Sequence, residues 1–261
     1  MKLPKTIQEK IGTQSYTQDT IGMSGATILL FDTMVLKIRP DSPEARTERK
    51  MLHWLGGRLP VPDILCHEIV DGTSYLLMSR LSGKMTCDLD IINAPTRLVD
   101  LLCEGLQMLW NTDISECPCD ATLDQHLSAA EYRVKNGLVD MDDAEPDTFG
   151  EHGFQNPEAL LAWLQANRPT EDIVLSHGDY CLPNIFADDT GVCGFLDFGR
   201  AGYADRYRDI ALCYRSLKSN LHGSYGDHPP IDFDADALFR KLGIPPDWDK
   251  IRYYILLDEL F

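Results

Sequence analysis

The sequence predicts an α+β protein in two parts with a cleft between them. Three observations carry that expectation. Residues up to about position 80 read as short strands around one helix, and those beyond read mainly as helices. Two acidic motifs, HGDYCLPN (177–184) and FLDFGR (195–200), then fall among brief strands late in the chain. A length of 261 residues suits one large domain or two lobes sharing a cleft.

In order along the chain, TQDTI, the GMSGA turn, TILLF, a turn at Asp32–Thr33 and MVLKI predict a meander of short strands. A helix follows, capped by Asp41 or Ser42, with Pro43 in its first turn and Gly56–Gly57 at its end. Ala45, Met51, Leu52 and Leu55 form its core stripe. ILCHEIV, the Asp71–Gly72 turn and TSYLLMS predict a hairpin, and Arg80 to Gly83 a hinge. The expected division is residues 1–80 as an N-terminal lobe and 81–261 as a larger lobe. PTRLVDLLCEGLQMLW, LDQHLSAAEYRVKNGL, PEALLAWLQAN and DRYRDIALCYRSLK carry helical spacing. IVLSH, NIFAD and CGFLDF read as strands, 139–153 as an acidic loop, and DWDKIRYYILLDELF as an amphipathic helix reaching the terminus.

Asp plus Glu number 41 against 24 Lys plus Arg, a formal net charge of −17. Such a surface repels nucleic acid and anionic membranes and attracts cations, so neither is an expected partner, and no obligate protein partner is evident. No basic start with an apolar run opens the chain, and no segment nears the roughly 20 apolar residues of a membrane span, so a cytosolic (cytoplasmic) protein is expected. Eight cysteines then read as reduced thiols. Cys117 and Cys119 lack a second pair at ligand spacing, which argues against zinc.

The chemistry lies in the late motifs. Kinase-type phosphoryl transfer uses a loop Asp, an Asn five positions on, and the Asp of an Asp-Phe-Gly unit. Asp179, Asn184 and Asp197 match that spacing. Asn184 and Asp197 supply hard oxygens for Mg2+, while Asp179 is left to orient a hydroxyl and take its proton. Upstream, such a site needs a strand lysine paired to a helix glutamate. Lys37 and Glu48 fill those places, with Glu44 a rival partner, and the amides of Met23, Ser24 and Gly25 are candidate phosphate donors.

Taken together, GMSGA, LKI, WLGGRLPVP, YLLMS, LSHGDYCLPNIF, GFLDFGRAGYADRYRDIALCYRS and YYILLDELF resemble the bacterial aminoglycoside 3'-phosphotransferases, from about Ile21 to Phe261. The resemblance implies a protein-kinase-like two-lobed fold. It also implies transfer of the ATP γ-phosphate to a hydroxyl of kanamycin- or neomycin-type drugs, conferring resistance. Asp179 is then the catalytic aspartate, and Asn184 and Asp197 hold magnesium. Lys37, Glu48 and Ser24 serve the nucleotide, and the hinge at Ser79 to Leu81, with Met78 behind it, meets adenine. Acceptor amines fall to Glu259, the Phe261 carboxylate and Arg200, and to carboxylates among Asp142, Asp143, Glu145, Asp147 and Glu151, with Asp147 and Glu151 put forward. Val35 stands where some relatives stack an aromatic on adenine, which leaves GTP use open. Leu182 and Ser219–Asn220 are neutral where some relatives are acidic. A kinase of another small hydroxylated metabolite, or a nucleotide-binding pseudokinase, is the alternative.

Overall fold

The computed structural model describes residues 3–19, 25–142, 144–226 and 228–261. Helix α1 (Lys5–Ile11) precedes strands β1 (Thr17–Asp19), β2 (Thr27–Leu30) and β3 (Met34–Pro40), helix α2 (Pro43–Leu55), and strands β4 (Ile64–Val70) and β5 (Thr73–Ser79). These five strands form one antiparallel sheet in the order β1-β2-β3-β5-β4. At the β4–β5 turn Asp71 and Gly72 both have positive φ (50° and 74°), the backbone of a two-residue hairpin turn. Ile7, Ile11, Phe31, Leu36 and Leu77 close a small core between this sheet and α1.

Helix α2 starts where Ser42 Oγ accepts the Ala45 N–H at 3.2 Å, with Pro43 at its first position. Its buried stripe is Ala45, Glu48, Met51, Leu52 and Leu55, so a carboxylate sits on the apolar face. Met51, Leu52 and Leu55 join Leu76 and Met78 to the large core of the helical part.

The chain continues through β6 (Lys84–Met85), α3 (Leu89–Ile92), α4 (Pro95–Trp110), α5 (Leu123–Lys135) and α6 (Pro157–Ala166). Next come β7 (Ile173–Ser176), a short 3-10 turn at Leu182–Asn184, β8 (Ile185–Asp188), β9 (Gly191–Phe195) and β10 (Gly202–Asp205). Helices α7 (Arg206–Leu221), α8 (Ala237–Leu242) and α9 (Trp248–Asp258) complete the fold. The late strands make two small sheets, β10-β7 and β6-β8-β9. Both acidic motifs lie in the turns that leave β7 and β9. Thus the α+β, kinase-like two-lobed expectation holds, an antiparallel sheet followed by a mainly helical lobe, except that two helices, α1 and α2, pack with the sheet where one was expected: Ile7 and Ile11 of α1 close its second core.

One expectation is corrected. Helix α9 stops at Asp258 instead of running to the terminus. Arg133 captures the Leu260 carbonyl with Nε and a Phe261 terminal oxygen with Nη2, each at 2.7 Å, and Leu260 is fully buried. These contacts fold the last residues against α5, where a continued helix would carry them past it. Among the described residues no helix is long and apolar enough to cross a membrane.

Candidate active site

Strand β3 lies inside the sheet, paired to β2 and β5, and Lys37 stands on it opposite Ile28 and Leu76. An ammonium only 6% exposed needs anionic partners. Lys37 Nζ has two, Glu48 Oε1 and Asp197 Oδ2, each at 3.0 Å. The second Glu48 oxygen takes Arg39 Nη2 at 2.6 Å. Glu44, the rival carboxylate, lies instead against Gly199. Burial raises the Glu48 carboxyl above its ordinary range against the pull of Lys37 and Arg39. At Asp197 burial pushes the same way, but the Lys37 ammonium outweighs it and holds the group below the usual carboxylate range. Asp197 also takes φ of 58°, a left-handed backbone that a non-glycine residue adopts at a cost.

The turn after β7 is held from beneath by Asp209. This fully buried α7 carboxylate accepts Ser176 Oγ–H at 3.0 Å and the backbone N–H groups of His177 and Gly178 at 2.7 and 2.9 Å. Gly178 has φ of 82°, and a Cβ there would lie 2.1 Å from the Arg200 carbonyl oxygen. Only glycine permits that approach. The turn delivers Asp179, and Asn184 steadies it. Asn184 Nδ2 donates to the Asp179 carbonyl and to Asp179 Oδ2, both at 2.9 Å, which leaves the Asn184 amide oxygen for another use.

The C-terminus forms a third group. Arg200 Nη1 reaches Asp258 Oδ1 at 2.9 Å, and Arg215 bridges Asp258 and Glu259, the latter at 2.9 Å. Glu259 also accepts the Glu145 N–H at 2.9 Å. Burial would raise Asp258, but Arg200 and Arg215 hold it low; at Glu259 burial prevails and the group is raised. The Phe261 ring rests beside Arg200, Arg133 and His126.

The sequence model of the phosphotransferase enzyme family, APH, matches residues 15–254. The chain belongs to this family. An aminoglycoside 3'-phosphotransferase of Enterococcus faecalis is 36% identical, the match covering 100% of this chain and 99% of the relative. One of Niallia circulans is 40% identical over 99% and 97% of the two chains. Among solved structures, the aminoglycoside phosphotransferase APH(3'')-Id of Streptomyces rimosus superposes with a TM-score of 0.81 at 24% identity, covering 97% of this chain and 95% of that one. That protein has also been solved with ADP and streptomycin.

Within this phosphotransferase, contacts join Lys37 to Glu48 and Asp197, and Asp179 to Asn184. Glu259, Arg200 and Phe261 gather at the C-terminal network. Met78 is buried on β5, paired between Val35 of β3 and Ile64 of β4. The Ser79 N–H is bound to the Asp63 carbonyl and that of Arg80 to Thr33, each at 2.9 Å, while the Leu81 side chain packs on Gly194. Asp147 lines a cavity beside Glu145, whereas Glu151 and Asp142 are exposed and line no part of it. Gly25 has φ of 65° with open space around it; Met23, Ser24 and Asp143 lie outside the described residues. Sequence reasoning passed over Asp209, Arg215, Asp258 and Arg133. A faint signal for Asp209 was available: an acid directly before the apolar run Ile210–Cys213 of an amphipathic helix.

Proposed function

We propose that this phosphotransferase moves the γ-phosphate of ATP to the 3'-hydroxyl of kanamycin- and neomycin-type aminoglycosides. The observation that carries the reading is the pairing of two sets of contacts. Asn184 steadies the Asp179 carboxylate, while Lys37 bridges Glu48 and Asp197. Asp179 would orient the acceptor hydroxyl and receive its proton. Lys37 keeps Glu48 and exchanges Asp197 for phosphate oxygens. Adenine would meet the backbone beyond Arg80, at Leu81, since the N–H groups of Ser79 and Arg80 are already bound. The Gly25 turn, with Met23 and Ser24, would cover the phosphates. ATP is the expected donor, with GTP open.

Magnesium fits the residues present. The Asn184 amide turns its nitrogen to Asp179 and keeps its oxygen free, and the Leu196 N–H bonded to the Asn184 carbonyl at 2.9 Å brings Asp197, a carboxylate held low, one residue from that contact. Among the described residues no cluster of three His, Cys, Asp or Glu side chains forms a metal cage. Two protein oxygens therefore leave the remaining positions to phosphate and water, as Mg2+ prefers. Bound there, the ion neutralises charge on the transferring phosphoryl group.

Acceptor amines would be met by the acidic C-terminal network and by Asp147, with Glu151 at the loop's outer side. The −17 charge draws a polycation toward them. The test is nucleoside diphosphate release by untagged protein with Mg2+ and ATP, then GTP, with and without kanamycin. The expected result is drug-stimulated release that falls at least about 100-fold in Asp179→Ala. Near wild-type turnover in that variant would sink the assignment.

A further inference from the structure

A cavity of about 850 Å³ lies beside the C-terminal carboxylates. Its near end is marked by Arg215 and Glu145, which both hold Glu259. It extends back along one face of α9, from Leu256 through Ile255 and Arg252 to Trp248. The nine residues from Trp248 to Leu256 make that wall about 13 Å long. Lys218 stands one helical turn beyond Arg215 on α7, its ammonium 5.5 Å from the Tyr214 ring centroid, and Trp248 packs edge-on against Tyr214.

The cavity is therefore polarised. Carboxylates Glu145 and Asp147 line it near Glu259, while the far part carries Lys218 and Arg252 on a floor of Tyr214 and Trp248. Neither cation has a carboxylate within 4.0 Å among the described residues, on a chain where acids outnumber bases 41 to 24. Two cations left without counter-charge repel a third. The aromatic faces, by contrast, suit the C–H face of an uncharged sugar ring.

We propose that Lys218 and Arg252 are specificity-determining residues of the acceptor site: they admit an uncharged distal sugar and disfavour one bearing ammonium groups. The inference rests on the kinase reading above. Its probes are ribostamycin, whose third ring is a neutral ribose, and neomycin, which adds a diamino sugar to the same three rings. KM and kcat are measured for both drugs with wild type, Lys218→Glu, Arg252→Glu, the double variant, and Lys10→Glu as a remote charge control on α1.

Wild type should show the higher KM for neomycin, although its extra charges favour it on an acidic protein. The ratio of the two KM values should fall about ten-fold in each cavity variant and further in the double variant. The kcat ratio and the Lys10→Glu ratio should stay within about two-fold of wild type. Both substituted side chains are exposed, so folding is not at issue. A KM ratio unmoved in the double variant overturns the inference while leaving the kinase intact. Failure to phosphorylate either drug overturns the kinase reading and the inference with it.

Discussion

Replacing Asp209 by Asn tests whether the turn that carries Asp179 is held by a buried charge. The substitution keeps the side chain's shape but converts one accepting oxygen into a donor. Three donors now converge on the carboxylate: Ser176 Oγ–H at 3.0 Å and the His177 and Gly178 N–H groups at 2.7 and 2.9 Å. An asparagine oxygen satisfies one or two of them, and its amide nitrogen faces at least one N–H. Each buried donor left without an acceptor costs about 1–3 kcal/mol, so the variant should lose about 2–4 kcal/mol of stability. The same change frees the turn that delivers Asp179, and a misplacement near 1 Å costs about 100-fold in rate. Urea unfolding gives the first quantity and drug-stimulated ADP release the second. An unchanged urea midpoint together with unchanged kcat would refute the assignment of Asp209 as the anchor of the turn.

Two further substitutions probe the flanks of the site. In Glu48→Gln, Lys37 and Arg39 lose the charge they share at 3.0 and 2.6 Å, and kcat/KM for ATP should fall about ten- to a hundred-fold, read by steady-state kinetics; an unaltered value would exclude Glu48 from holding Lys37. His126 has neither ring nitrogen bonded and packs edge-on at 4.4 Å against Phe261, and burial, with Arg208 and Arg200 nearby, holds it well below 6.5. The unfolded chain therefore binds a proton near pH 6.5 that the folded one refuses, so His126 erodes stability as pH falls below that value. Between pH 7.5 and 5.5 wild type should lose about 1 kcal/mol more than His126→Phe in urea titrations, within the limit of ~1.4 kcal/mol per pH unit for one proton. Parallel pH dependence in the two proteins would contradict this.

Much of the site was legible because local spacing carries it. The Asp179–Asn184 interval and the Asp197-Phe198-Gly199 unit are set by one turn each, and Lys37 and Glu48 by their places on a strand and the next helix. The Asp71–Gly72 turn was readable for the same reason, since two consecutive positive φ values demand those residue types. Long-range partners were not. Asp209 meets His177 across 32 positions, and Arg133 meets Phe261 across 128, and no periodicity encodes such distances. The end of α9 was misread because the last residues keep a helical apolar pattern, while Arg133 decides their path. Short elements such as α3, α8 and β6 also escaped, being too brief for a period to register. The acidic loop 139–153 offers many carboxylates and no repeat to rank them; in the structure Asp147 lines the cavity and Glu151 does not.

The most direct measurement of the central claim compares two acceptors that differ at a single oxygen. Kanamycin B and its 3'-deoxy analogue tobramycin present the same amines to the acidic network, but only the first has a 3'-hydroxyl for Asp179 to orient. With Mg2+ and ATP, ADP release should be stimulated by kanamycin B alone, and tobramycin should inhibit it competitively. Equal stimulation by both drugs would place the phosphate on another hydroxyl and contradict the account.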